Sequence, residues 1–328
     1  MTATNTGGTG RTGHTANAGS TGNDGSAEGA ERAERAESAG SAGASGAEGR
    51  VVGVIGGGRM GAGIAQVFAA IGASVTVVES GAEAAEAARK RIATGLRRAA
   101  ERDGRAAPAE RVLARVAVVP AVADLPPHAA LVVEAVPEDA ALKARLLAAA
   151  ERAVGPSTVL ATNTSSLSVT DLAAALTRPG RFVGMHFFNP VPASELVEIV
   201  VAPETEDTAL GAALDWTRRL GKQDVVVKDS PGFASSRLGV ALGLEAIRMV
   251  EEGVASPEDI DTAMRLGYKH PMGPLRLTDL VGLDVRLAIA EHLHATLGER
   301  FAPPRLLREK VARGELGRKT GQGFHTWP

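Results

Sequence analysis

A short apolar run followed by a glycine motif, 51-VVGVIGGGRMGAGIAQVFAAIGASVTVVES-80, restricts the fold of this chain more than any other feature. The run VVGVI is typical of a buried parallel strand, and the residues after Gly61 have helical periodicity. Gly56, Gly58 and Gly61 have the spacing G-x-G-x-x-G, and Glu79 closes the next predicted strand. This order of strand, glycines, helix, strand and acidic residue predicts a dinucleotide-binding βαβ unit.

Each glycine of the motif has its own physical role. Gly56 permits a tight turn, Gly58 lets the backbone approach a pyrophosphate, and Gly61 lets the helix pack closely on the strand. The free N–H groups of the helix N-terminus would face the phosphates. The carboxylate of Glu79 is suited to the adenosine ribose hydroxyls and repels a 2′-phosphate, which favours NAD over NADP. We therefore expect NAD to be bound by Gly56, Gly57, Gly58, Arg59, Met60, Gly61 and Glu79.

Predicted strands alternate with predicted helices up to about residue 229. This alternation is typical of a doubly wound sheet. After that point only helices are predicted. We expect an α/β fold, with an N-terminal Rossmann-type doubly wound sheet over 51–229 and a smaller all-α C-terminal domain over 230–328. The further strands are predicted at 115–119, 130–136, 158–163 and 181–188, and the helices at 82–102, 138–154, 232–252, 257–266, 275–297 and 303–313.

The composition changes sharply near residue 50. Residues 2–50 contain no Val, Ile, Leu, Phe, Tyr or Trp. Such a segment cannot bury enough apolar surface to offset its chain entropy, so we predict a disordered low-complexity tail over 1–50.

Charge and cysteine content exclude several classes of function. The formal net charge is -2 and there is no cysteine. The chain therefore has no global basic field for nucleic acid or anionic membranes, and it forms neither disulfides nor thiolate metal sites. No apolar run approaches the roughly 20 residues of a membrane span. No h-region of a signal peptide is present either. We expect a cytoplasmic protein with no bound metal, no nucleic acid and no membrane.

The stretch 184-GMHFFNPVPASELVEIV-200 contains the candidate catalytic residues. His186 follows a predicted buried strand. An imidazole, with an ordinary pKa of roughly 6.5, suits a general base near neutral pH. A carboxylate such as Glu198 on the other ring nitrogen would fix the tautomer. From the residues alone, a histidine beside two phenylalanines is more often a core residue, and the spacing does not establish that the two side chains touch.

From Val51 to Trp327 the chain resembles the L-3-hydroxyacyl-CoA dehydrogenases, including the bacterial 3-hydroxybutyryl-CoA dehydrogenases. The resemblance implies NAD-dependent oxidation of L-3-hydroxyacyl-CoA, with a short acyl chain, to 3-oxoacyl-CoA, and the reverse reaction. It also implies a role in fatty-acid β-oxidation and a homodimer. The motifs that carry it, in order, are GGGRMGAGIAQVFA, ATNTSSLSVTDLA, GMHFFNPVP with LVEIV, KDSPGFASSRL, SPEDIDTAM, HPMGPLRLTDLVGLDV and GRKTGQGF.

The resemblance assigns roles residue by residue. It implies that His186 accepts the proton with Glu198 as its partner, and that Ser165 binds the substrate oxygen near the nicotinamide. Arg102 is near the position of a family lysine that binds CoA. Asn189 matches a family asparagine of the catalytic site that lines the pocket of cofactor and substrate. Further cofactor contacts are implied for Ser165, Glu138, Lys143 and Lys319.

Simpler interpretations of these residues remain open. Ser166 or Ser168 is suited to cap the next helix, which would leave Ser165 free. Asn189 also fits an Asn-Pro turn. Glu138, Lys143 and Lys319 also fit solvated positions, and the basic stretch 89-RKRIATGLRRAAER-102 also fits a solvated face.

One position departs from the family pattern. The family sequence P-G-F-x-x-N-R corresponds here to 231-PGFASSR-237, so Ser236 stands where the asparagine is expected in the substrate site. Serine is shorter and has no second amide group, which puts the substrate in question. The alternative substrate is a free sugar acid such as L-gulonate. A second alternative is an NAD-binding protein without activity, which the presence of His186 and Glu198 argues against.

Overall fold

The computed structural model describes residues 47–102 and 107–328. The described residues belong to one compact unit. The disordered tail predicted over 1–50 lies outside the described residues, except for its last four positions, 47–50.

An eight-stranded sheet has the order β3-β2-β1-β4-β5-β6-β7-β8. Strands β1 to β6 pair in parallel, β7 is antiparallel to β6, and β8 is parallel to β7. The six parallel strands are those that the sequence predicts, whereas β7 and β8 were not among the predicted strands. The bounds are β1 Val51–Ile55, β2 Ser74–Val78, β3 Val116–Val119, β4 Leu131–Glu134, β5 Val159–Thr162, β6 Phe182–Phe187, β7 Leu196–Val201 and β8 Gln223–Lys228.

Helices cover the sheet and then form the C-terminal region. In that region α7 packs on α9, α10 and α11. The described helices are α1 Arg59–Ala70, α2 Ala82–Arg102, α3 Ala109–Leu113, α4 Ala140–Ala153, α5 Val169–Ala173, α6 Asp207–Arg219, α7 Ser235–Glu251, α8 Pro257–Gly267, α9 Pro274–Val281, α10 Leu283–Leu297 and α11 Arg305–Ala312.

The prediction of one continuous helix over 275–297 is wrong. The structure has two helices there, α9 and α10, and Gly282 separates them with φ at 102°. That conformation is in the left-handed half of backbone space, which a side chain strongly disfavours. A single glycine inside an otherwise helical pattern therefore broke the helix instead of being tolerated within it.

The order of the strands reverses between β1 and β4, which lie side by side. In open α/β sheets ligands bind at such a switch point, outside the carboxyl ends of the strands. The glycine motif follows β1 at this edge. The loops after β4 and β5 reach the same edge, because all these strands run parallel.

Two glycines of the motif are required by the backbone itself. Gly56 has φ at 97°, and a Cβ atom at Gly61 would lie 1.8 Å from the carbonyl oxygen of Gly56. No side chain fits in that space, because real Cβ atoms do not approach within 3 Å of other heavy atoms. The close crossing of strand and helix expected from the sequence is therefore confirmed for this turn.

Apolar residues of the strands fill the core on both faces of the sheet. Val54 and Val133 lie in the cluster on one face, and Val132 and Leu160 lie in the cluster on the other. The C-terminal helices have a separate core that includes Leu244. Burying one such side chain contributes about 1.5–3 kcal/mol, so each region has the apolar interior needed to hold its site residues in place.

Candidate active site

His186 and Glu198 lie on adjacent antiparallel strands. The register of β6 and β7 places the two residues directly opposite each other. His186 Nδ1 lies 2.8 Å from Glu198 Oε2, and the two residues are twelve positions apart in the chain. Since an ionised carboxylate only accepts, Nδ1 must donate. The other ring nitrogen, Nε2, then carries a lone pair and can accept a proton.

Both members of this pair are buried. His186 is 6% exposed and Glu198 is 1% exposed. The imidazole packs against the rings of Phe188 and Phe233, with centroids 4.4 and 5.7 Å away. The two phenylalanines after His186, which made a core role for the histidine credible, differ in position. Phe187 is buried in the core, and Phe188 packs on the imidazole.

The carboxylate of Glu198 accepts hydrogen bonds on both oxygens. Oε1 accepts from the backbone N–H groups of Ala234 at 3.1 Å and Ser235 at 2.8 Å. Oε2 accepts from the hydroxyl of Ser235 at 2.6 Å as well as from His186. The donors of Ala234 and Ser235 lie at the N-terminus of α7, whose dipole also favours a negative charge.

Burial by itself would raise the pKa of the Glu198 carboxyl. The hydrogen bonds from His186 and Ser235 outweigh burial and hold the pKa below its usual value. Glu198 is therefore an anion at neutral pH. A carboxylate in this state, hydrogen-bonded to an imidazole, is suited to stabilise an imidazolium at His186.

A second carboxylate, Glu138, binds the loop that follows β5. Its Oε1 accepts from the Thr164 hydroxyl at 2.5 Å, from Ser165 N at 2.9 Å and from Ser166 N and Oγ, both at 3.0 Å. Burial would raise the pKa of the Glu138 carboxyl, but the ammonium of Lys143 and these hydrogen bonds lower it. The loop that carries Ser165 is thereby fixed to the start of α4.

Lys143 lies beneath this loop and is only 1% exposed. Its ammonium donates to Glu134 Oε1 at 2.8 Å and to the Val136 carbonyl at 3.2 Å, and lies 3.3 Å from Glu138 Oε2. Thr162 donates to the other oxygen of Glu134 at 2.6 Å. The interpretation of Lys143 as a residue on a solvated helix face is wrong, since its side chain is buried in a network of acceptors.

Ser165 is half-buried, and among the described residues its hydroxyl has no hydrogen-bond partner. The helix cap is Ser168, whose hydroxyl accepts from Asp171 N at 3.0 Å. Of the two serines suggested as caps, Ser168 serves and Ser166 binds Glu138 instead. The Ser165 hydroxyl is left available for a ligand.

The glycine turn has the features that a dinucleotide requires. No heavy atom lies within 4 Å of a Cβ placed at Gly58, so the turn is open at that point. The first turn of α1 has no side-chain cap and no acidic residue. Its N–H groups are thus free to bind phosphate oxygens. Glu79 Oε2 accepts from Gly57 N at 2.6 Å, which places the carboxylate beside the turn.

A cavity of about 880 Å³ lies beside this turn. Arg59 from α1 and Asn189 from the loop after β6 both line it. The candidate CoA residue Arg102, which is exposed, and the candidate pocket residue Asn189 therefore share one cavity. Its basic lining residues are Arg59, Lys90, Arg91, Arg98 and Arg102, and Glu101 is the acidic one.

Two predicted residues lie in the C-terminal region, Ser236 in α7 and Lys319 in a short 3-10 turn after α11. Lys319 is exposed and forms an ion pair with Asp284 at the start of α10. Burial would raise the pKa of the Asp284 carboxyl, but Lys319 and backbone donors lower it. Ser236 is half-buried in the first turn of α7, and its hydroxyl has no hydrogen-bond partner among the described residues.

Sequence reasoning missed several residues of these networks. Ser235 occupies an unspecified position of the family pattern, so no motif signal identified it. Glu134 and Thr162 end two strands, and their position at the carboxyl edge was the one signal that could have identified them. Over residues 47–102 and 107–328, no group of three or more His, Asp or Glu residues is placed to hold a metal ion. No helix in the same ranges is long and apolar enough to cross a membrane.

Comparison with known proteins agrees with this architecture. Residues 51–230 match the model of the 3-hydroxyacyl-CoA dehydrogenase NAD binding domain, and residues 232–327 match the model of the C-terminal domain of the same enzymes. A probable 3-hydroxybutyryl-CoA dehydrogenase of Bacillus subtilis is 44% identical over 277 residues, which cover 84% of this chain and 96% of that protein. The mitochondrial hydroxyacyl-coenzyme A dehydrogenase of Sus scrofa is 41% identical over 284 residues, covering 84% and 90%.

A solved structure shares the arrangement as well. The (S)-3-hydroxybutyryl-CoA dehydrogenase of Ralstonia eutropha superposes with a TM-score of 0.80 at 40% identity, covering 85% of this chain and 99% of that one. Both domains of the family are thus matched in order, and the relatives are matched over nearly their whole length. This chain belongs to the 3-hydroxyacyl-CoA dehydrogenase family.

Proposed function

We propose that this protein oxidises L-3-hydroxyacyl-CoA to 3-oxoacyl-CoA with NAD, and catalyses the reverse reaction. The observation that carries the proposal is the buried pair of His186 and Glu198, at the carboxyl edge of a sheet with an open glycine turn. The Bacillus and Ralstonia relatives are named for 3-hydroxybutyryl-CoA, which supports a short acyl chain.

The proton moves between the substrate hydroxyl and His186. In the oxidation, Nε2 takes the proton of the substrate hydroxyl, and the hydrogen on the carbon that bears this hydroxyl leaves as hydride. NAD, when bound, supplies the hydride acceptor. Glu198 keeps the Nδ1–H tautomer in place and stabilises the imidazolium. In the reduction, the imidazolium returns its proton to the oxygen that forms the new hydroxyl.

Three side chains are proposed to orient the substrate and the nicotinamide. The hydroxyl of Ser165 has no protein partner among the described residues, so it can donate to the reacting oxygen. Asn189 lines the cavity that leads from the glycine turn. Ser236, in the first turn of α7, takes the place of the family asparagine and can donate one hydrogen bond.

Glu138 and Lys143 are proposed to support the nicotinamide half of the site from below. Glu138 fixes the backbone of Ser165 and Ser166, and Lys143 fixes Glu138. Because Lys143 is 1% exposed, its effect on the cofactor passes through this loop. A direct contact of Lys319 with the cofactor stays a prediction, since that ammonium faces Asp284.

We assign the basic cavity to the nucleotide phosphates of CoA. The cavity joins basic residues of α2 to Asn189, which lies three positions after His186. Guanidinium groups bind phosphates through paired N–H donors, and a free sugar acid has no such phosphates. The cavity therefore favours the thioester over L-gulonate as the substrate.

The first test is oxidation of NADH by acetoacetyl-CoA, followed by absorbance. Three controls are used. NADPH replaces NADH, free acetoacetate replaces the thioester, and L-gulonate is offered with NAD. Turnover that requires both NADH and the thioester is expected. Turnover of L-gulonate without turnover of the thioester would replace the proposed substrate by the sugar acid.

The second test addresses the basic cavity. Arg102→Ala should raise the KM for acetoacetyl-CoA about tenfold, the loss of roughly one charge-assisted hydrogen bond. It should leave the KM for acetoacetyl-pantetheine, which lacks the nucleotide, unchanged. The matched control is Arg89→Ala, on the same helix but outside the cavity lining. Equal effects of Arg102→Ala on the KM values of both thioesters would show that the CoA phosphates do not bind in this cavity.

We also propose a homodimer formed through the C-terminal helices. Leu238 on α7 is 70% exposed, and Leu277 and Val281 on α9 and Val285 on α10 are each about 40% exposed. Contiguous exposed apolar side chains mark interaction surfaces, and the packing of α7 on α9 and α10 favours a shared surface for these residues. Sedimentation should give a dimer for the parent and a monomer for Leu238→Glu.

A cytoplasmic location stays a prediction, for cell fractionation to test.

A further inference from the structure

Ser235 binds both oxygens of the Glu198 carboxylate. Its backbone N–H donates to Oε1 at 2.8 Å and its hydroxyl donates to Oε2 at 2.6 Å. Oε2 is also the oxygen that His186 Nδ1 contacts at 2.8 Å. One oxygen is therefore shared between the imidazole and a hydroxyl from another part of the chain, 37 positions away.

We propose that Ser235 is a positioning residue of the proton-transfer pair, whose hydroxyl orients Glu198 and sets how strongly Glu198 stabilises the imidazolium of His186. The inference rests on the proposed function of that pair. It concerns a residue that the family pattern P-G-F-x-x-N-R leaves unspecified. The adjacent Ser236 is the residue at the position of the family asparagine.

The hydroxyl has no ready replacement. Glu198 is 1% exposed, so water has little access to the carboxylate. Oε1 is satisfied by the backbone donors of Ala234 and Ser235, which no side-chain substitution removes. Loss of the hydroxyl thus leaves Oε2 with His186 as its donor, and the carboxylate loses the contact that fixes its rotation about the backbone-held oxygen.

The shared oxygen gives the hydroxyl an electrostatic effect. A second donor on Oε2 reduces the negative charge available to Nδ1, because the two donors compete for one acceptor. Without the hydroxyl, the carboxylate attracts the imidazolium more strongly. His186 then holds its proton to a higher pH, and oxidation, which needs the neutral imidazole, begins at a higher pH.

The surroundings contain few other charges that could mask this effect. Among the described residues His186 is the titratable group that is hydrogen-bonded to Glu198, and the other donors to its carboxylate are the Ser235 hydroxyl and the backbone N–H groups of Ala234 and Ser235. The rings of Phe188 and Phe233 pack on the imidazole. The charged residues nearest to Ser235 in sequence have other partners: Asp229 binds Ser168 and Thr170, and Arg237 binds Ser230.

The contact also joins the two regions of the molecule. Ser235 is the first residue of α7, and Glu198 lies in β7 of the sheet. The position of the carboxylate therefore depends on how the C-terminal helices pack on the sheet. A displacement of α7 would be transmitted to His186 through this hydroxyl.

The test compares Ser235→Thr with Ser235→Val, two side chains of the same shape that differ in the hydroxyl. The dependence of kcat/KM for 3-hydroxybutyryl-CoA on pH is measured for both and for the parent. The Thr variant should reproduce the parent profile. In the Val variant kcat should fall about tenfold, and the acidic limb should move to higher pH by about 0.5–1 unit.

NADH affinity and melting temperature provide the control measurements. A Val variant that melts lower than the parent but keeps its kcat and its acidic limb would make Ser235 a structural residue only, and would overturn the inference. Identical profiles for the Thr and Val variants would overturn it too. If the Val variant does not fold, Ser235→Ala replaces it in the same comparison with Ser235→Thr.

An NMR titration of the His186 ring separates this inference from the proposed function. The midpoint of the titration should lie higher in the Val variant than in the Thr variant, whether or not the protein turns over the thioester. Absence of turnover by the parent with this difference intact would reject the proposed substrate and keep the role of Ser235. Equal midpoints in the Val and Thr variants, together with turnover of the thioester by the parent, would reject the role of Ser235 and keep the proposed substrate.

Discussion

Two carboxylates of this protein have similar hydrogen bonds and different surroundings. Glu198 and Glu138 each accept from backbone N–H groups and from a hydroxyl, and the pKa of each is held below its usual value. Glu138 also lies 3.3 Å from the ammonium of Lys143 and its side chain is 34% exposed. Glu198 is 1% exposed and its charged partner is the imidazole of His186.

The difference lies in whether the balancing charge is permanent. The ammonium of Lys143 is shared by the carboxylates of Glu134 and Glu138, so the Glu138 charge faces a cation whether or not a substrate is bound, and this contact holds a loop in place. The imidazole becomes a cation when it takes a proton, so the Glu198 charge is left to stabilise that event. The same residue type with similar donors is thus a clamp in one region and, in the proposed mechanism, part of a proton acceptor in the other.

The largest effect is expected for His186→Gln. It removes the proton acceptor and should lower kcat by about 10²–10⁴-fold, the usual range for a general base. Binding of NADH, measured by fluorescence, should be unchanged because the glycine turn is intact. A variant that turns over like the parent would end the proposed role of His186.

Glu198→Gln should have a smaller effect on the rate. The amide keeps the size of the side chain and removes the charge, so the imidazole remains and the imidazolium is less stabilised. We expect kcat to fall about 10–100-fold, measured beside His186→Gln in the same assay. A loss greater than that of His186→Gln would mean that Glu198, not the imidazole, exchanges the proton.

The two carboxylates should also differ in their effect on folding. The pKa of each carboxyl is lower in the folded protein than its usual value of 4.5. Each carboxylate therefore stabilises the fold at pH values above 4.5, and this contribution is lost as the pH falls through the lower pKa of the folded state. Glu198→Gln should reduce the free energy of unfolding at pH 7 by about 1–3 kcal/mol, and Glu138→Gln, being exposed, by less than about 1 kcal/mol.

Urea unfolding at several pH values measures both effects. The difference between the parent and Glu198→Gln should shrink as the pH falls below 4.5. A difference that stays constant with pH would assign the loss to packing instead of charge.

The smallest effect is expected for the clamp. Glu138→Gln leaves Lys143 paired with Glu134 and loosens the loop of Ser165. The KM for NAD should rise about threefold, with kcat nearly unchanged, a loss below that of one charge-assisted hydrogen bond. The exposed Glu110→Gln, away from these networks, serves as the control. A fall in kcat as large as that of Glu198→Gln would erase the distinction between the two carboxylates.

The sequence predicted the βαβ unit correctly because glycine spacing and apolar runs are local signals. Six strands and the helical character of the C-terminal region follow from the same kind of pattern. Strands β7 and β8 were not predicted as strands. The helix break at Gly282 was also missed, because a single glycine in a helical pattern is compatible with a continuous helix and with a break, and the packing of α9 and α10 decides which of the two occurs.

The candidate site was predicted in part. The family motif pointed to His186 and Glu198, and Ser165 was expected to be free of capping. The contact between the pair depends on the antiparallel register of β6 and β7, which no spacing rule supplies. The burial of Lys143 was also not predicted, because its helical position fits a solvated face until β4 and β5 lie beside it.

The sequence by itself determined the glycine turn, since a Cβ at Gly61 would overlap the carbonyl of Gly56 in any chain that makes this turn. It also determined the residue types of the pair that is proposed to transfer the proton. Tertiary structure alone decided which oxygen of Glu198 faces the imidazole and that Ser235 shares it. The reason is physical: backbone conformation and residue type act over a few positions, whereas a hydrogen bond between β7 and α7 exists once the helices have packed on the sheet.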